Sequence, residues 1–291
     1  MLIAAFEGWN DAGEAASTAV AHLAEEWGAQ EFASIDPEEF FDFSTTRPEV
    51  QLIDGETREI VWPANDFCSA RLGATSRDVI LLTGTEPQLR WKSFCALIID
   101  VARALGVDMV VTLGALLADV PHSRPVRITG TAADPELIER LDLQRSRYEG
   151  PTGIVGVLHD ALGKAGIRSC SLWATVPHYL PGTQSPKAAL ALVERAADLL
   201  GVSVETLDLQ IATTQYERQV TDVVEADEDM AGYVRRLELS HDSGDDLDDD
   251  EEDDDDEDET DPRDAFRDAD GNLPNGDALA AELERYLREQ G

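Results

Sequence analysis

Residues 2–28 run Leu2-Ile3-Ala4-Ala5-Phe6, Glu7, Gly8-Trp9-Asn10-Asp11-Ala12-Gly13, then Glu14 to Gly28 with Ala16, Ala19, Val20, Leu23 and Trp27 at helical spacing. Five apolar residues in a row predict a short strand, and the glycines at 8 and 13 bracket a turn. Asp11 with Glu14 three residues later has the form of a capping box, and Gly28 closes the helix. Strand, turn and amphipathic helix is the simplest account of the stretch.

The same grammar recurs. Val79 to Thr83 reads as a strand, followed by a helix striped with Trp91, Phe94, Cys95, Ile98, Val101 and Leu105. Met109 to Leu113 predicts a buried strand, and Gly153 to Ala165 a short helix. Ile167 to Thr175 is a third repetition, with Ser185-Pro186 as cap and first turn of a helix that stops at Gly201. Alternating strands and helices predict an α/β protein with a mostly parallel sheet. Between residues 30 and 75 the pattern breaks into short extended pieces at Val50–Ile53, Glu59–Trp62 and Phe67–Leu72, read as an antiparallel insertion or sheet edge.

The expected organisation is therefore an α/β core over 1–201 and a helical subdomain over 202–240, with helices through Leu207, Ile211 and Tyr216 and through Met230, Tyr233, Val234 and Leu237. A disordered acidic linker is expected over 241–275, because a run of aspartates cannot bury enough apolar surface to offset chain entropy. A short amphipathic helix is expected over 276–291, carried by Leu279, Leu283, Tyr286 and Leu287.

The net charge is −37, with 60 acidic and 23 basic residues. Asp242 to Asp261 supplies 16 of the acids and no base, which still leaves 44 acids against 23 bases elsewhere. A field of that sign repels nucleic-acid phosphates and anionic lipid heads, so neither is an expected partner. No apolar run nears the roughly 18 residues of a membrane span, and Met1 to Phe6 lacks a basic flank, so a cytoplasmic protein is expected. Cys68, Cys95 and Cys170 are too scattered for a zinc site and read as small hydrophobes.

In open α/β sheets ligands bind beyond the carboxyl ends of the strands. Four loops there carry the polar side chains that matter: Asn10 and Asp11, then Glu86 with Arg90 and Trp91, then His122 and Arg124, then His178 and Tyr179. They form a candidate pocket or interface. As a pocket, Arg90 and Arg124 would hold an anion and a histidine would act as acid or base. No catalytic residue is assigned, since Gly8 and Gly13 have P-loop spacing but Glu14 stands where a phosphate-binding lysine belongs, and no G-x-S-x-G elbow exists. No metal is expected either: His122 and His178 with Glu86 or Asp11 lack a close ligand pair. Asp11 should satisfy the amides of its own helix and leave no room for a phosphate.

Four segments in order, GWNDAG at 8–13, GTEPQLRWKSF at 84–94, PHSRP at 121–125 and VPHY at 176–179 followed by SPKAALALVERAADLLG, resemble the proteasome assembly chaperone 2 family in its actinobacterial branch, over about residues 1–240. The resemblance implies a three-layer α/β sandwich similar to phosphorylase/hydrolase-like proteins, a helical C-terminal subdomain and homo-oligomeric assembly, with a trimer as the expected size. Eukaryotic relatives act as chaperones in assembly of the proteasome α-ring, so proteasome subunits are expected partners. Archaeal relatives can end in a hydrophobic-Tyr-X tail, whereas this chain ends Arg288-Glu289-Gln290-Gly291 with Tyr286 too far back. Members have also been labelled ATP-grasp carboligases, but with Lys92, Lys164 and Lys187 as the only lysines and no phosphate loop, no cofactor is expected.

Three readings of function follow. The first is a non-enzymatic, homo-oligomeric protein resembling proteasome assembly chaperones. The alternative is a phosphorylase/hydrolase-like enzyme or small-anion binder with one pocket at the strand ends, and the third is an adaptor whose acidic tail captures a basic partner.

Overall fold

Leu2–Glu7 forms the strand β1, and its position explains its composition. It pairs in parallel with Arg77–Thr85 on one side and with Met109–Ala118 on the other, so no edge of it meets solvent. Leu2, Ala4 and Phe6 point into one hydrophobic core, while Ile3 and Ala5 point into a second on the opposite face. A strand buried on both faces has to be apolar throughout.

The computed structural model describes residues 1–54, 57–72, 77–146, 148–180 and 182–243. After β1 come α1 (Ala15–Glu26), β2 (Gln30–Ser34), β3 (Glu49–Ile53), β4 (Thr57–Val61), β5 (Asn65–Leu72), β6 (Arg77–Thr85), α2 (Trp91–Ala104) and β7 (Met109–Ala118). The chain continues with β8 (Ile128–Ala132), α3 (Pro135–Leu141), α4 (Ile154–Lys164), β9 (Arg168–Pro177), α5 (Pro186–Leu200), α6 (Leu207–Glu225) and α7 (Glu228–Ser243). The main sheet has the order β2-β5-β6-β1-β7-β9-β8. Its four central strands are parallel, and β2, β5 and β8 join antiparallel at the edges.

Helices cover both faces, giving an α/β sandwich of three layers. Ala16, Ala19, Val20 and Leu23 of α1 and Ala189, Leu192, Val193 and Ala196 of α5 pack on Ile3, Leu81, Val111 and Leu172. Phe94 and Ile98 of α2 and Ile154, Leu158 and Leu162 of α4 pack on Leu2, Phe6, Leu82 and Val110. Each fully buried Val, Leu, Ile or Phe among them contributes about 1.5–3 kcal/mol, so the two cores hold the sheet in place. Residues 30–72 contain both expected forms: an edge (β2 and β5) and an insertion, the two-stranded ribbon β3–β4.

The local signals were met in some places and displaced in others. Ser185 caps α5 by accepting from Ala188 N at 3.3 Å, with Pro186 in the first turn and Gly201 left-handed at the end, as the sequence predicts. The capping box of Asp11 and Glu14 does not form. A 3-10 turn over Ala12–Glu14 intervenes, Glu14 adopts φ +50°, and Asp11 reaches past it to Ala16 and Ser17. Strand β8 and helix α3 fall where the sequence shows no strong period, because β8 is a half-buried edge reading Ile-Thr-Gly-Thr-Ala. Cys95 and Cys170 are buried as expected, and Cys68 is half-buried.

Helix α7 runs to Ser243, three residues into the segment expected to be unstructured. The remainder of the acidic linker and the C-terminal helix of 276–291 lie outside the described residues. Among the described residues no helix is long and apolar enough to cross a membrane.

His159 of α4 sits against the sheet between Thr112 Oγ1 and Ser169 Oγ, each 2.8 Å from a ring nitrogen. Burial pulls its pKa down to about 4. The unfolded chain, with an ordinary histidine, then binds the extra proton between about pH 6.5 and 4, so the stabilisation is complete above pH 6.5 and lost on acidification. Urea titrations should show stability falling by about 2 kcal/mol between pH 7 and pH 5, and His159→Gln should flatten that slope.

Candidate functional site

The chemistry-bearing loops emerge at the carboxyl edge of the sheet, after β1, β6, β7 and β9. They do not converge on one point.

The first gathering joins the loop after β1 to the loop after β6 and to the start of α4. Asn10 Nδ2 donates to Glu86 Oε1 at 3.1 Å, and the backbone N–H of Ile154 donates to the same oxygen at 2.7 Å. Glu86 therefore fills the N-terminus of α4. Gly153 allows this approach, because a Cβ there would lie 2.3 Å from Asn10 Nδ2 and 2.7 Å from Glu86 Oε1. Asp11, 6% exposed, fills the N-terminus of α1 by accepting from Ala16 N at 2.6 Å and from Ser17 Oγ and N. Burial pushes the Asp11 carboxyl above its usual range, and the hydrogen bonds from Ser17 and Ala16 oppose that rise. Helix N-termini at the carboxyl edge are the natural anion sites of such folds, and in this chain two of them already hold a carboxylate.

The second gathering joins the 119–124 and 178–179 loops to α6 and α7. His122, 4% exposed, has its backbone N–H directed at Tyr179 Oη at 2.8 Å, while its ring Nδ1 lies 2.9 Å from the same oxygen. Its Nε2 lies 3.1 Å from Thr221 Oγ1, which in turn donates to Glu217 O. These partners assign a neutral ring with the proton on Nε2. Burial, reinforced by the nearby Lys187 ammonium, lowers the His122 pKa, and burial raises the Tyr179 hydroxyl to about 12. Arg124 grips Asp242 with two parallel bonds, Nε to Oδ1 at 2.8 Å and Nη2 to Oδ2 at 2.6 Å. Ser123 Oγ donates to Glu238 beside it. Lys187 Nζ donates to the carbonyls of His122 and Arg124, each at 2.6 Å, and pairs with Glu217 at 2.5 Å.

Arg90 and Trp91 stand apart from both, whereas His178 belongs to the second. Arg90 pairs with Glu39 at 2.6 Å, and Trp91 Nε1 donates to Pro87 O. His178 Nδ1 contacts Asp119 at 2.8 Å, and its ring meets Tyr179 and Tyr233 edge-on. A cleft of about 310 Å³ exists at the amino edge of the sheet, lined by Met1, Asp108, Met109, Arg140 and Arg168 among others, and no candidate residue borders it. Among the described residues no group of three or more His, Cys, Asp or Glu is placed to share a metal ion.

A family model described as PAC2 family matches residues 5–224. The chain belongs to the PAC2 family. It is 46% identical to a PAC2 family protein of Streptomyces avermitilis, with a TM-score of 0.75 over 80% of this chain and 98% of that one. It is equally 46% identical to a Mycobacterium tuberculosis protein described as a proteasome-assembly chaperone homologue, with a TM-score of 0.73 over 80% and 99%. Pyrococcus furiosus PbaB, described as an archaeal proteasome activator, shares the fold at 20% identity and a TM-score of 0.62, over 76% of this chain and 92% of that one. No match was found among curated protein sequences.

In this PAC2 chain, the eight loop residues Asn10, Asp11, Glu86, Arg90, His122, Arg124, His178 and Tyr179 thus have partners that account for their polarity. Sequence reasoning missed the groups those residues need: Gly153, Lys187, Glu217, Thr221, Glu238 and Asp242. Lys187 had a signal, as one of three lysines in a strongly acidic chain. Asp242 carried a misleading one, since it opens the acidic run yet is the residue that Arg124 holds.

Proposed function

We propose that this PAC2 family member is a non-enzymatic, cytoplasmic assembly factor that binds proteins, proteasome subunits among them, and associates with its own copies, with three as the expected number. The observation that carries this reading is how the polar groups of the carboxyl edge are used. Glu86 and Asp11 cap helices, and His122 and Arg124 fasten α6–α7 to the α/β body. A one-pocket enzyme or anion binder built from these side chains loses its geometric basis, because Arg90 and Arg124 each already hold a carboxylate.

What the edge offers instead is shape and apolar surface. The Asn10–Glu86 bond and the Asp11 cap fix the 8–14 loop, and Trp9 stands on it 65% exposed. Leu116 and Leu117 at the end of β7 are also exposed. An exposed aromatic on a fixed loop is the kind of side chain that anchors a protein-binding hot spot. The Mycobacterium tuberculosis relative, described as a proteasome-assembly chaperone homologue, supplies the class of partner.

The test is capture of purified proteasome α- and β-subunits by the tagged full chain, read by native mass spectrometry. A complex with a free subunit or a half-assembled precursor is expected, with Trp9→Ser weakening it by at least about 10-fold. Failure to form any complex with subunits or precursors overturns the proteasome part of the reading.

A further inference from the structure

Among the described residues the ribbon β3–β4 pairs only with itself and is separate from the seven-stranded sheet. Its register sets Val50 opposite Ile60 and Leu52 opposite Arg58, and Trp62 continues the row beyond the end of β4. The other face alternates with it and carries Glu49, Gln51, Thr57 and Glu59 among Ile53 and Val61. This is the pattern of a strand pair with one face buried, yet Val50, Leu52, Ile60 and Trp62 are 45–59% exposed. A two-stranded ribbon alone is at best marginally stable in water, so such a face needs cover. Its base is held by Trp62 against Phe43, ring centres 4.9 Å apart.

We infer that the apolar face of this ribbon, Val50, Leu52, Ile60 and Trp62, is an arm that packs on the body of a second copy of the chain. The inference rests on the reading of the protein as self-associating. Charge favours a copy meeting it at this face. Two bodies of −37 repel, and among the described, paired residues of β3 and β4 the one charged side chain on the apolar face is Arg58, a cation. Contact here buries no carboxylate and offers one guanidinium to an acidic surface. Size decides between ribbon-on-ribbon and ribbon-on-body. Five residue pairs present a face of roughly 17 by 10 Å, far below the ~800 Å² per partner of a stable interface, so the rest of the contact has to come from the body of the second copy. Constancy selects a copy over a transient client, because a ribbon that depends on cover for its conformation needs a partner present wherever the chain folds.

The experiment compares the full-length chain with L52K/I60K on the apolar face and Q51K/T57K on the other, which change charge equally. Oligomeric state is followed by light scattering and native mass spectrometry, with circular dichroism to check the fold. The wild type and Q51K/T57K are expected to assemble alike, and L52K/I60K to weaken assembly at least about 100-fold while keeping its helical signal. A photo-crosslinking residue at position 52 is expected to join two copies, which answers the question even if the double variant misfolds. A wild type monomeric at tens of micromolar, as when the ribbon is covered by its own chain, overturns both this inference and self-association. Assembly that survives L52K/I60K overturns the arm and leaves self-association standing. Crosslinks from position 52 that reach only a proteasome subunit also overturn it, by naming a different occupant.

Discussion

Lys187→Ala is expected to free α6–α7 from the α/β body and lower the thermal midpoint by roughly 6–12 °C, the equivalent of about 3 kcal/mol in a domain of this size. The Lys187 side chain is 13% exposed and holds three oxygens at once: two backbone carbonyls of the 122–124 loop and the Glu217 carboxylate of α6. Removing the ammonium leaves those acceptors without their donor and withdraws the positive charge between them. The loop that loses its anchor is the one whose His122 reaches Thr221 of α6 and whose Arg124 reaches Asp242 of α7, so one deletion loosens both helices. Limited proteolysis should show new cleavage between residues 201 and 207. Lys187→Met keeps the aliphatic stem and should recover little, which separates the charge from the packing. Unchanged melting and proteolysis in Lys187→Ala would mean that the apolar contacts of Tyr216, Val220 and Val234 suffice to dock the pair.

Gly84→Ala is expected to cost about 3 kcal/mol or more and to sharply reduce soluble protein. A Cβ on Gly84 would lie 2.0 Å from the carbonyl oxygen of Ala64 and 2.6 Å from the Cα of Asn65, its partner across the β5–β6 pair. Both contacts are with backbone, so no rotamer change relieves them, and the start of β5 has to move away from β6. Asn65 is wholly buried there, and its Nδ2 donates to Thr85 O, so the movement also breaks the bond that ties the two strand ends. Gly163→Ala is the control. It sits within α4 with nothing within 4 Å of its added Cβ, and should raise stability by up to about 1 kcal/mol. Thermal melts of both variants settle the comparison. Equal melting of Gly84→Ala and wild type would show that β5 can shift at no cost.

Much of the fold could be read from local signals because those signals record burial. The apolar runs at Leu2–Phe6 and Val79–Leu82, and Met109–Leu113 broken only by Thr112, mark strands covered on both faces, and the helical stripes of α1, α2 and α5 mark the sides that cover them. Edges were less legible. In β8 the burial pattern is half-exposed and Gly130 interrupts the run, so nothing in the residues distinguishes a strand from a loop until β9 pairs with it. The β3–β4 ribbon lies between these cases: its pairs are visible in the alternation, but among the described residues its apolar face is left half-exposed.

The candidate site was legible as a set of residues and illegible as an arrangement. His122 finds Tyr179 and Thr221, 57 and 99 positions away, and Arg124 finds Asp242, 118 positions away. Glu86 meets Asn10 and the Ile154 amide across separations of 76 and 68.

The sequence by itself determined the class of the protein: an α/β chain with a mostly parallel sheet, the capped helix at Ser185, and an acidity of which 16 charges belong to one short run. Only the tertiary structure decided that the carboxyl-edge acids cap helices, that the loop histidine and arginine fasten α6–α7, and that the apolar ribbon face is left half-exposed among the described residues. Hydrophobic periodicity is a local property, fixed by how each residue meets its own strand or helix. The pairing of polar side chains depends on which distant backbone comes within hydrogen-bond reach, and only the folded chain sets that distance.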